Sequence, residues 1–396
     1  MKKCCKKIPI EFHISDYKLI FVFIFPICEI LNTKIREKYL IKYYEFFLAL
    51  STYLSYLLSI LFLIIIKIRT QTYKLGMNVK DDASTNNNEI KNQGIINIEI
   101  KKENAKQTIK NILYIIVLSG INMCFSHFNY ESFHDKRTIG LSYKILIFFL
   151  LSYFILKYKY SKHHYITLGI NTITLLIKYS ITIAITNSEE YIGYHIWFYL
   201  IYAFSYCLLF TVGKFYMDNY FKTPYFILLT TGIIIDIILI IIALIKYATD
   251  NDSDIFLGFE DNVNSVENTF WFIGDLLTQF GMFLGLWITV YYFTPTHTII
   301  SENIMEIGYY FVDFQGNEYL WENQNVDLNI YLYPYIHVIN LICSLIFNEI
   351  IILNFCGLDK DTKVRIKERE RNESFKIEKM IEGGDTESYS STGSFN

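Results

Sequence analysis

The sequence predicts an all-α fold, a polytopic membrane bundle of about ten transmembrane helices. Three observations lead there. Over 396 residues, 52% are hydrophobic and only 19% charged, too apolar for one ordinary soluble domain. The apolar residues gather into blocks roughly 20 long, the length needed to cross a bilayer core as a helix. Lys and Arg, finally, fall unevenly between the connections, as they do when one side of the membrane retains the positive charge.

In chain order, residues 1–17 form a basic N-terminal segment opening MKKCCKK. Its distance from the first apolar run, and Glu29 inside that run, argue against a cleaved signal. Cys4 and Cys5 sit in a juxtamembrane basic context that palmitoylation favours, and a free cytosolic pair fits equally. A first transmembrane hairpin covers 18–66, with helices at 18–31 and 43–66. Residues 67–111, containing DDASTNNNEIKNQG, have too little apolar content to bury a core and read as a disordered cytosolic linker. Helices three to ten follow within 112–355, at 112–128, 139–157, 165–186, 194–213, 224–246, 268–293, 297–314 and 331–355. Residues 356–396 make a charged, then Ser-rich, cytosolic tail.

Helices one and nine are the weakly apolar members, and charge asymmetry decides them. Dropping helix one alone would send the basic N-terminus across the membrane, and dropping helix nine alone would do the same to the tail. With ten spans and both termini cytosolic, about 26 Lys and Arg lie on the cytosolic side against about 8 on the other. Half of those eight fall in the first hairpin loop, at Lys34, Arg36, Lys38 and Lys42. The connection 247–267 has acidic residues, no Arg or Lys, and the sequon Asn251-Asp252-Ser253, a glycosylation acceptor if it faces the lumen. The sequon at Asn372, in the cytosolic tail, should stay unmodified.

Polar residues inside the spans are the candidate functional groups. LTTGIIIDIILIIIALIKY, residues 229–247, has twelve Ile or Leu and one carboxylate, Asp236. A central Asp costs about 3 kcal/mol and each Ile or Leu returns roughly 0.5, so the segment still inserts. Its carboxylate calls for a protected face, marked by Gly232 and Ala243. In YITLGINTITLLIKYSITIAIT, Thr167, Asn171, Thr174, Lys178 and Thr182 fall within an arc of about 80°. Lys178 and Asp236 lie at similar depth on parallel helices, so an ion pair between them is one reading; Ser/Thr-mediated helix packing with a snorkelling Lys178 is the other. Helix eight places Asp275 and Gln279 one turn apart. Helix nine aligns Glu302, Glu306 and Asp313. Helix ten, YPYIHVINLICSLIFNEI, aligns His337, Asn340, Ser344 and Asn348, with Glu349 at the edge. Helix two carries Ser51, Ser55 and Ser59, a packing pattern.

Several classes are excluded by what the sequence lacks. There is no GxxxxGK[ST] loop, no HExxH and no zinc spacing among the seven cysteines, so no metal, cofactor or disulfide framework is expected. His163-His164 read as solvated loop residues. An intramembrane enzyme would need a His or Cys facing a lipid-accessible cavity, and His195 and His337 read instead as bundle histidines; no enzymatic activity is expected.

Ten helices divide as five plus five, and an odd-numbered half reverses its orientation in the membrane. The two polar-striped helices, five and ten, then occupy corresponding places, the arrangement of an inverted repeat. Over residues 18–355, the helix count, short lumenal loops and two cytosolic termini resemble the drug/metabolite transporter superfamily. The resemblance implies a secondary transporter moving a small polar solute by alternating access, and it carries over no individual residue. Asp236, Lys178, Asn171, Thr174, Asp275 and Gln279 are then the candidate substrate or ion pathway, with a coupling ion and the lipid bilayer as partners, a homodimer as a further arrangement, and no nucleic acid. The alternative is a non-transporting receptor or scaffold acting through its tail. A transporter predicts internal two-fold symmetry between helices 1–5 and 6–10; a scaffold does not require it.

Overall fold

The computed structural model describes residues 10–12, 17–39, 45–69, 105–133, 143–186, 189–220, 222–250, 265–316 and 328–353, with parts of 358–373. Among them, a helix occupies each of the ten expected stretches: α1 (Phe21–Tyr39), α2 (Glu45–Tyr56, resuming over 59–69), α3 (Ala105–Phe133), α4 (Tyr143–Phe154), α5 (Lys162–Thr186), α6 (Glu189–Tyr220), α7 (Pro224–Asp250), α8 (Val266–Tyr292), α9 (His297–Gly316) and α10 (Leu328–Phe347). Cys4, Cys5 and the Asn251 sequon lie outside the described residues, as do the side chains of Lys178 and Asp313.

Among the described residues, five helical segments are long and apolar enough to cross a membrane: Ala49–Arg69, Thr108–Ser126, Leu200–Tyr220, Pro224–Thr249 and Val266–Tyr292. The surface explains why lipid is the solvent. Ile233, Ile237, Ile240, Ile241 and Leu244 of α7 are exposed, as are Ile166, Ile170, Ile173 and Leu176 of α5, while Lys144, Asn171, Asp275, Glu302 and Asn340 are buried. Apolar outside and polar inside is the reverse of a soluble domain. The protein is an integral membrane protein.

Local chemistry sets the helix ends. Pro224 opens α7 after Thr223, whose hydroxyl accepts the Phe226 N–H at 3.3 Å. Ser265 caps α8 by accepting the Asn268 N–H. α10 ends in a Schellman turn, Ile350 N–H to Leu345 C=O and Glu349 N–H to Ile346 C=O, with Glu349 left-handed at φ 60°. In α2, residues 57 and 58 form a turn in which bonds from Leu57, Leu58, Ile60 and Leu61 reach back three residues. Such a tightened turn inside a long helix marks a break in its ladder.

Several expected boundaries move. α1 runs on to Tyr39, so Asn32 and Arg36 are helix residues and not part of a hairpin loop. α2 reaches 69 and α3 begins at Ala105, narrowing the linker to 70–104. α4 covers only twelve residues, roughly 18 Å, and by itself is too short to span the core. α10 stops at Phe347, and β2 (Ile351–Leu353) follows it as a strand. β2 pairs antiparallel with β1 (Ile10–Phe12), in register Ile10 to Leu353 and Phe12 to Ile351.

That pairing brings the chain before α1 to the end of α10. At the same end, Thr296 in the α8–α9 turn donates to Asn348 Oδ1 at 2.5 Å, and His163 at the start of α5 lies beside Glu349. The main packing pairs are α1 with α8 and α9, α2 with α7 and α8, α3 with α6 and α7, α4 with α5 and α6, α5 with α10, and α9 with α10. The principal core runs through Tyr53, Tyr56, Leu118, Phe148, Tyr206, Phe210, Leu228, Phe283 and Trp287.

Candidate functional site

Among the described residues, two ion pairs between helices organise the polar interior. The first joins α1 to α8. Arg36 Nε donates to Asp275 Oδ1 at 2.7 Å, and Asn32 Nδ2 donates to the same oxygen at 2.7 Å. Asn32 also reaches the Thr278 hydroxyl at 2.9 Å. On the other oxygen, Gln279 Nε2 donates to Asp275 Oδ2 at 2.5 Å and to Ser51 Oγ of α2 at 3.2 Å. Asp275 is fully buried, and only a carboxylate supplied with several donors and a counter-charge is stable there. The spacing Asn32–Arg36 is one helical turn, which puts both donors on the α1 face that packs on α8.

The second pair joins α4 to α9. Lys144 Nζ donates to Glu302 Oε1 at 2.7 Å, with the side chains 1% and 3% exposed. The ammonium lies 3.9 Å from the ring centroid of Tyr206 and 4.7 Å from that of Tyr202, both on α6, so aromatic faces supply part of the lost hydration. Among the described residues, Glu302 Oε2 has no partner in hydrogen-bond geometry, and the Tyr206 hydroxyl lies within electrostatic reach of Glu302. Glu29 of α1 lies within electrostatic reach of Arg36, Asp275, Glu302 and Glu306, and so connects the two pairs.

Asp236 is placed differently. It is 7% exposed, and among the described residues neither carboxylate oxygen has a hydrogen-bond partner. Its stripe faces α2 so closely that a Cβ on Gly232 would come within 2.8 Å of Tyr56 Cβ. α7 packs on α2 and α3, while α5, the helix of Lys178, packs chiefly on α10. The Lys178 side chain lies outside the described residues, so the expected Lys178–Asp236 pair falls there too; α5 and α7 are not among the main packing pairs.

The other candidates divide likewise. Asn171 and Thr174 are buried on α5, and the Thr174 hydroxyl donates to its own helix at Ile170 C=O, 2.9 Å away. His337, Asn340 and Ser344 are buried on α10. Asp275 and Gln279 are brought together with Arg36, Asn32 and Ser51, whereas Asp236 and the α5 residues stand apart from them. Arg36 and Lys144 are the charged groups that sequence reasoning missed. The face Glu29, Asn32, Arg36, at three- and four-residue spacing, was the available signal for the first; an isolated Lys opening an apolar run gave little for the second. His163 and His164 are buried in the first turn of α5, not solvated. The described cysteines, Cys28, Cys124, Cys207 and Cys343, are free thiols.

Compared with known protein families and with curated proteins, the chain matches none.

Proposed function

We propose that the chain crosses the membrane ten times as two inverted five-helix repeats, and that it moves a small polar solute by alternating access. Support comes from the packing pattern. Shift every helix number by five, and α1–α8 exchanges with α3–α6, α1–α9 with α4–α6, α2–α8 with α3–α7, and α4–α5 with α9–α10. The pairs α2–α7 and α5–α10 map onto themselves. Pairing of β1 with β2 fits an even number of crossings. This is also the arrangement implied by the resemblance to drug/metabolite transporters.

The observation that carries the reading is the Lys144–Glu302 pair. α4 and α9 are the fourth helices of the two halves, so the pair straddles the proposed two-fold axis, where repeat-built transporters hold their sites. The break in α2 and the short α4, with buried Lys144 in its first turn, resemble the discontinuous helices of such sites. The polar groups named above set Arg36 and Lys144 against Glu29, Asp275, Glu302 and Glu306. An apolar interior does not sustain that excess of negative charge, so a proton or sodium ion fits as the coupling ion.

The test is solute-driven proton or sodium flux in proteoliposomes, over a panel of small polar solutes chosen by thermal stabilisation of the purified protein. Lys144→Met and Glu302→Gln should each abolish flux while the protein still elutes as a folded species. A Lys144→Met/Glu302→Leu double variant that is stable and transports normally would reduce the pair to a tie between helices and sink the proposal.

A further inference from the structure

At the end of the bundle that carries β1 and β2, three metal-ligating side chains converge from distant parts of the chain. His163 and His164 open α5, and Glu349 follows α10. One ligand atom from each lies within 4.8 Å of the others, and both imidazoles are buried. We propose that these residues form a site for a divalent transition metal such as zinc, tying the start of α5 to the end of α10; it is independent of the transport reading.

Three details point to a metal rather than to a plain contact. His163 Nε2 is 3.5 Å from Glu349 Oε1 and, among the described residues, has no hydrogen-bond partner, although its residue is 4% exposed. Ligands at about 2.0–2.2 Å from one tetrahedral zinc ion stand about 3.4 Å apart, so that separation suits two atoms sharing an ion. Next, the other ring nitrogens are already held. Ser161 Oγ lies 2.8 Å from His163 Nδ1 and 3.0 Å from His164 Nδ1. The Ser161 N–H donates to His164 Nδ1 at 3.3 Å, so that nitrogen is an acceptor, whereas a Ser161 hydroxyl accepting the His163 Nδ1–H fixes the tautomer that leaves His163 Nε2 without a proton, which is how outer-shell groups orient metal-bound histidines. Finally, Glu349 is held left-handed at φ 60°, where a residue with a Cβ is strained. Glycine is the usual occupant of that Schellman position. Strain of this kind persists where a side chain is needed at that spot.

Two imidazoles and one carboxylate suit zinc, cobalt or iron(II), and leave a coordination position for water. Ser161 acts as a positioning residue, and its loss should weaken binding about tenfold.

The experiment uses the full-length protein in detergent, stripped with chelator and titrated with Co²⁺ as an optical probe. The expected result is one Co²⁺ per chain, visible d–d bands, and displacement by Zn²⁺. His163→Ala and Glu349→Gln should each lose the bands. Glu349→Gly, which relaxes the backbone, should also lose them while melting no lower than wild type in chelator, separating ligation from folding. No bands in wild type, or bands undiminished in Glu349→Gln and Glu349→Gly, would leave only a histidine–carboxylate contact and overturn the site.

Discussion

Two aspartates lie buried in this bundle under opposite conditions. Asp275 of α8 has Arg36, Asn32 and Gln279 arranged around both oxygens. Asp236 of α7 has, among the described residues, no hydrogen-bond partner at either oxygen. The same side chain at the same kind of depth is thus a fixed structural element in one place and an open valence in the other. The difference lies in the neighbouring helix. α1 presents a cation and an amide to Asp275, whereas α2 meets α7 through Tyr53, Tyr56 and the close approach at Gly232. A carboxylate with every valence filled is a poor carrier of protons or ions; one with none is ready to accept them.

The comparison breaks most visibly if Arg36 is removed. Arg36→Met leaves Asp275 charged and uncompensated, and should cost about 3–5 kcal/mol, read as a large fall in the thermal midpoint in detergent. Adding Asp275→Asn to Arg36→Met should recover part of that loss. Independent, additive effects would mean that the two residues are not coupled. The next effect concerns the contact beside Asp236. Gly232→Ala places a methyl against Tyr56 Cβ and the Tyr53 carbonyl, and should cost about 1–3 kcal/mol by the same measurement. An unchanged midpoint would show that α2 and α7 are not so closely packed.

The smallest effect on stability should come from Asp236 itself. Asp236→Leu removes a buried polar group that has no partner, so the midpoint should hold or rise by up to about 1 kcal/mol. If transport disappears in that same stable variant, Asp236 is a working carboxylate; if the midpoint falls as far as in Arg36→Met, it has a partner after all. Topology offers a check that needs no purified protein. Asn251 should accept a glycan in a glycosylation-competent membrane and Asn372 should not, scored as a mobility shift; modification at Asn372 would overturn the assignment of the tail to the cytosol.

Much of the fold was legible because a helix that must satisfy lipid announces itself by length and hydropathy. α7 and α8 were placed within a few residues at each end for that reason. Legibility failed where tertiary partners, not lipid, decide the outcome. Apolar content ends near Leu31, and a run of Lys and Arg then reads as a loop. α1 continues because Asn32 and Arg36 find Asp275, 243 and 239 residues away. Asp275 and Gln279 were singled out as polar residues one turn apart, but no periodicity within α8 reveals which helix supplies the counter-charge. The expected Lys178–Asp236 pairing rested on depth alone. Depth can be estimated from position along a helix, but the identity of a neighbour depends on packing that one sequence does not encode locally. His163 and His164 were misjudged because a polar pair near a loop is usually wet; here Tyr160 and Phe347 cover the His164 ring.

The small β1–β2 pair has a consequence for engineering. Antiparallel strands sit about 4.8 Å apart, so Ile10 and Leu353 bring the two ends of the helical chain within reach of a short peptide. A circular permutant that joins them, and opens new ends between residues 70 and 104, would keep α3 through α10 and α1 to α2 in unbroken succession. Its C-terminus would then follow the second helix, giving one order of synthesis in which α1 and α2 insert last, against helices already in place.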